Sequence, residues 1–201
     1  MGGRAFLPHL PPGSLPRLPT PLYVALKTRL TPLLLTLFAI VEVPAEKPGK
    51  EDHGDIDFVV ACPLNPEGIT PEQVARVLGA VKSIELDGNR TSNYAISISQ
   101  SSWLMHAAQP VPSDHIYCQV DVRICNDEQE VERVVVFHGY GDLGIMIGAI
   151  AKNYGLSVNH HGLKVIVALA HDAQEFLIER PGCKSSTKSS DTSHRFSSSD
   201  F

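Results

Sequence analysis

Gly54-Asp55-Ile56-Asp57, running directly into Phe58-Val59-Val60-Ala61, is the stretch that most narrows what this chain can fold into. Read as a strand, it sends Ile56, Phe58 and Val60 to one side and Asp55 and Asp57 to the other. Two carboxylates roughly 7 Å apart on one strand face repel each other unless a cation lies between them. Gly54, just before them, lets the backbone or a ligand come close. A strand edge whose two acids simply face water is the other reading of such an Asp-x-Asp.

A second stretch bears on that choice. Ile116 to Cys125 also alternates: Cys118, Val120, Val122 and Ile124 form an apolar face, and Gln119, Asp121 and Arg123 a polar one. An acid in mid-strand is unfavourable unless it is paired or metal-bound. If this strand lies beside the Asp55 strand, Asp55, Asp57 and Asp121 converge. Three hard oxygen donors suit Mg²⁺ or Mn²⁺, and two such ions can clamp the attacking and leaving oxygens of a phosphoryl displacement. An ion pair between Asp121 and Arg123, or a neighbouring lysine, is the competing explanation.

The order of pieces resembles the nucleotidyltransferase fold, and within it the palm of DNA polymerase beta-type (family X) enzymes. The likeness spans roughly residues 40–167 and is anchored by Gly54-Asp55-Ile56-Asp57 and Val120-Asp121-Val122-Arg123. Phe137-His138-Gly139 looks like that family's Phe-x-Gly segment, which approaches the nucleotide sugar, and 145–156 like the opening of its thumb. The resemblance implies an α+β (α/β) fold, a mixed sheet backed by helices with a partial thumb-like C-terminal segment. It implies transfer of a nucleoside monophosphate from an NTP or dNTP to a hydroxyl, with a nucleic acid among the acceptors it allows. Asp55, Asp57 and Asp121 would be catalytic and hold two Mg²⁺ or Mn²⁺ ions; Gly54, Lys47, Lys50, Phe137 and Gly139 would contact the nucleotide.

Departures from the family are equally specific. Its Gly-Ser, which holds the triphosphate, corresponds here to Pro44-Ala45, which lacks one backbone N–H and the hydroxyl. Lys47 and Lys50 can compensate in charge. Only some 40 residues precede the first palm strand, too few for a polymerase DNA-binding domain. A catalytically degenerate binding or scaffold protein, and a metal-dependent phosphohydrolase, therefore stand beside the transferase.

Elsewhere the pattern predicts a disordered proline-rich arm over 1–20, a palm-like domain over 21–135, a thumb-like extension over 136–180 and a disordered Ser-rich tail over 181–201. A helix is expected over 21–38, bent or split at Pro32, then a strand over 39–43. A second helix starts at the Thr70-Pro71-Glu72-Gln73 cap and ends near Lys82. Strands follow over 94–99 and 116–125, joined by an excursion. Val134 to Phe137 favours strand, 142–154 helix with Asp142 as its cap, 163–169 strand and 172–179 a short helix. Cys62, Cys118 and Cys125 read as small buried hydrophobes. His53 reads as a loop cap or a solvated group, Asn159-His160-His161 as a polar turn rather than a zinc site, and Tyr140 as either a stacking ring or an ordinary loop tyrosine.

Composition sets outer limits. The chain has 201 residues, 43% apolar, with 17 Lys+Arg against 22 Asp+Glu and a net charge of -5. That balance argues against coating nucleic acid by bulk charge. Four cysteines without CxxC spacing suggest reduced thiols and an intracellular setting, cytoplasmic or nuclear. The longest apolar run, 32–41, is about half of the ~20 residues a membrane helix needs, so no membrane partner is expected.

Overall fold

The computed structural model describes residues 3–85, 88, 90–107, 110, 113–168 and 173–177. Its centre is a five-stranded mixed sheet ordered β2-β4-β7-β6-β5. These strands are β2 (Phe38–Glu42), β4 (Asp55–Pro63), β5 (Ala80–Ile84), β6 (Thr91–Ile98) and β7 (Ile116–Ile124). Every neighbouring pair is antiparallel except β4 and β7, which run parallel with Asp57 opposite Asp121.

One face of the sheet is fully covered. Helix α1 (Thr20–Leu34) buries Leu22, Leu26, Leu30 and Leu34, a stripe repeating every four residues, against Ile56, Phe58, Val60, Val120 and Val122. Helices α2 (Pro71–Leu78) and α3 (Gln100–His106) complete this core with Val74, Leu78 and Trp103. The α2 start is the expected capping box: Thr70 accepts from the Gln73 N–H and Gln73 reaches back to the Thr70 N–H.

The opposite face, which carries the acids, is covered at one end only. Helix α4 (Glu128–Lys152) lays Val131 and Val134 on Val59, Ala61 and Cys125. Asp127 caps it through the Glu130 N–H at 2.7 Å. Its two limbs, Glu128–Gly141 and Leu143–Lys152, meet at 92°, where Tyr140 (φ 54°) and Gly141 (φ 77°) leave the helical region. Beyond it, β8 (Leu156–Asn159), β9 (Gly162–Ala168) and β10 (Ala173–Leu177) form a three-stranded antiparallel sheet.

Several expectations need correction. Val134 to Phe137 is helix, because burying Val131 and Val134 on the sheet outweighs the strand preference of a valine run. Residues 173–177 are strand rather than helix: they complete a ladder with β9. Helix α2 stops at Leu78, and Ala80–Ile84 becomes the edge strand β5. Helix α1 is neither split nor as long as expected; Pro32 lies inside it and it ends at Leu34. The excursion between β6 and β7 contains α3.

Residues 3–17 are irregular, but the stretch leading to α1 is not a solvated arm. Phe6, Ser14 and Leu18 are fully buried, and β1 (Leu18–Pro19) pairs with β3 (Asp52–His53). Cys118 and Cys125 are buried as expected, whereas Cys62 is exposed. The tail expected to be disordered, 181–201, lies outside the described residues, and Asp142, expected to cap a helix, falls within α4 between its two limbs. Among those residues no single helix is long and apolar enough to cross a membrane; the two limbs of α4 reach that length and composition only together, across their bend.

Candidate functional site

Register builds the site. In a parallel pair, residues directly opposite point to the same face, so Asp57 on β4 and Asp121 on β7 stand side by side, with Asp55 two residues back. One carboxylate oxygen from each of the three lies within 4.8 Å of the others. This is the convergence expected from the sequence, and three Asp residues are close enough to bind a metal ion.

The acids line a cleft of about 370 Å³ at the end of the sheet that α4 leaves uncovered. Tyr23, Lys50 and Arg123 share its wall, as do Pro44, Ala45 and His138. Burial, then Asp55 and then Asp121 push the Asp57 carboxyl up to about 8. Asp57 is accessible from the cleft although protein surrounds it, and its two acidic neighbours act in the same direction as its burial. Burial also raises Asp55, against a backbone hydrogen bond from Gly3 and the charge of Lys50. Asp121 sits at about 6, with burial and Asp55 raising it and bonds from Asn93 and Gln119 lowering it. All three are thus disfavoured as anions, the condition a cation among them would relieve. Asp57 accepts no hydrogen bond among the described residues, so its oxygens are available as ligands. The donor set therefore fits a hard divalent ion.

Arg123 does not neutralise Asp121. Its Nη2 meets His160 Nε2 at 3.0 Å and lies 3.9 Å from Glu130, while its buried Nε has no partner among the described residues. Asp121 is held instead by Asn93 Nδ2 at 2.6 Å and Gln119 Nε2 at 2.9 and 3.0 Å. His160 and His161 do form the turn between β8 and β9, but His160 reaches back to the site through Arg123. Among the described residues no histidine belongs to a metal-binding group.

The other expected nucleotide contacts are dispersed. Lys50 lines the cleft, paired with Glu46. Lys47 is exposed, with its stem against Gly141. Phe137 points away, into a second groove between the far limb of α4 and β8. Gly139 faces the Ala45 backbone, and the neighbouring Tyr140 N–H donates to the Ala45 carbonyl at 2.6 Å. The Tyr140 ring is exposed. The backbone of Gly54 is approached by Gly3, and it is the missing side chain of Gly3 that allows this: a Cβ on Gly3 would stand 2.1 Å from the Gly54 oxygen.

His53 is neither solvated nor directed at the cleft. It is buried, stacked on Tyr23 at 3.8 Å, and contacts Thr20 Oγ1 at 3.1 Å and Glu46 Oε1 at 3.2 Å. Burial lowers its pKa although Glu46 pulls the other way. Asn93, Tyr23, Glu46 and the backbone of Gly3 and Ala5 were not expected at the site. Only Gln119 was signalled by the period-two pattern, which set it beside Asp121. No protein-family model matches the chain, and no curated protein matches it.

Proposed function

We propose that the chain is a metal-dependent nucleotidyltransferase of the polymerase beta-like type, acting on an NTP or dNTP and a hydroxyl acceptor with two Mg²⁺ or Mn²⁺ ions. The single observation behind this is the register that sets Asp57 against Asp121 with Asp55 beside them. Divalent cations held by Asp55, Asp57 and Asp121 would supply Lewis acidity toward the phosphoryl oxygens and neutralise developing charge.

The chain's own groups supply the rest. Lys50, on the cleft wall, meets the charge of the departing phosphates. The acceptor oxygen bonds the α-phosphorus as the α–β phosphoanhydride bond breaks, and pyrophosphate leaves with the electron pair. Asp121 takes the hydroxyl proton. Incubation with Mg²⁺ or Mn²⁺ and labelled NTPs should release pyrophosphate and label an acceptor. Asp57→Ala and Asp121→Ala should each abolish turnover with the fold intact by circular dichroism. Wild-type rates in either variant would refute the mechanism.

The second reading is nucleotide binding without transfer. Pro44 and Ala45 line the cleft with no hydroxyl and one N–H fewer than Gly-Ser, and Glu46 already occupies Lys50. It predicts nucleotide binding with no pyrophosphate under any metal. Release of inorganic phosphate instead would mark a phosphohydrolase.

A further inference from the structure

Outside the three acids, the most constrained polar group at the centre is Gln119. It is 3% exposed, so water does not decide its orientation. The oxygen and nitrogen of a Gln amide are nearly alike in shape, and only its partners tell the two ends apart. Here both partners are unambiguous. The Ala5 backbone N–H, which can only donate, lies 2.9 Å from one end, so that end is the carbonyl oxygen. The NH₂ end is thereby directed at Asp121, reaching Oδ1 at 2.9 Å and Oδ2 at 3.0 Å. Asn93, directly across from Asp121 on β6, adds a third donation, to Oδ1. Oδ1 thus has two donors against it and Oδ2 one, so Oδ2 is the less occupied oxygen.

We propose that the N-terminal segment is a working part of this centre: the Ala5 N–H fixes the polarity of the Gln119 amide, and Gln119, as a positioning residue, orients Asp121 for its ion. The inference rests on the metal-site reading above. Without the Ala5 donor, the amide can turn and set its oxygen against a carboxylate oxygen. The segment is anchored well enough to act this way. Phe6, next to Ala5, is fully buried, and the Ser14 carbonyl accepts the Tyr117 N–H at 2.8 Å, two residues before Gln119.

Mn²⁺ binding to the full chain, followed by electron paramagnetic resonance, tests this without reference to turnover. Gln119→Met keeps the volume and removes the amide; Ala5→Pro removes the N–H, while also fixing φ there and restricting Arg4; Ala5→Ser keeps the N–H. Gln119→Met and Ala5→Pro should weaken Mn²⁺ binding by roughly 10- to 100-fold, the usual effect of losing a group that orients a ligand, while Ala5→Ser should match wild type. Equal affinity in all four folded proteins overturns the inference and leaves the acidic centre standing. Absence of Mn²⁺ binding in wild type overturns both. Should a variant fail to fold, the wild type supplies a separate reading. The Gln119 side-chain amide signals, identified by their proximity to the Ala5 N–H, should move on Mg²⁺ titration; signals that stay put overturn the proposal.

Discussion

Asp121 and Glu130 are both acids set into the protein beside Arg123, and their surroundings send them in opposite directions. Burial and the nearby Asp55 raise the pKa of Asp121 by more than its bonds from two neutral amides lower it. Glu130 would be raised by burial alone, but the Asn126 N–H at 2.9 Å and the guanidinium of Arg90 at 3.0 and 3.1 Å outweigh that, with Arg123 adding to them. Its net shift is downward. A lowered acid stabilises the fold above its unfolded pKa of about 4.3, and that stabilisation is lost as pH falls through the folded value. Glu130→Gln should therefore cost roughly 1.5–3 kcal/mol at pH 7, the worth of charge-assisted hydrogen bonds, and much less at pH 3. Urea unfolding at the two pH values measures this; an equal loss at both would contradict it. Period-two alternation alone placed Asp55, Asp57 and Asp121 on polar faces. It said nothing of Asn93, whose role follows from a cross-strand pairing, or of Ala5, whose contribution is a backbone group that every residue but proline carries.

The elements were most legible where local chemistry and packing agree. The α2 cap, the leucine stripe of α1 and the alternation of β4 and β7 are local signals that the sheet reinforces. The first limb of α4 shows the opposite case, since Val134-Val135-Val136-Phe137 favours a strand until the sheet surface is present to receive it. The bend in α4 places Phe137 across Gly144, where an added Cβ would lie 2.2–2.5 Å from the ring. Replacing Gly by Ala in a helix gains up to ~1 kcal/mol of propensity. Forcing the ring aside costs roughly 1–3 kcal/mol. At so short a separation the clash should win, and Gly144→Ala should lower the melting temperature in a calorimetric scan. A rise would show that Phe137 yields freely.

For the whole molecule, the largest revision concerns residues 3–20. Five prolines hide a segment that gives Phe6 and Leu18 to the interior and reaches the acidic cleft. Prolines remove periodicity without removing burial, which is why the pattern read as an arm. If the segment belongs to the fold, Phe6→Ala should cost about 3–5 kcal/mol in urea unfolding, the range for a fully buried phenylalanine. A loss within 0.5 kcal/mol, typical of a surface change, would restore the arm. The acidic balance has a related meaning at this scale: Lys50 and Arg123 line the cleft, but each already faces a glutamate, so the site has little free positive charge with which to follow a long polyanion.

The parallel contact between β4 and β7 also governs when the centre can come into being. A parallel pair cannot be closed by a tight turn, and here β5 and β6 intervene in the chain. During synthesis, Asp55 and Asp57 emerge long before Asp121, so a divalent ion finds only part of its coordination set on the nascent chain. An ion held by all three acids would therefore not template the early steps; it would reward a sheet that has already been zipped together, and its capture would serve as a timestamp for the end of folding.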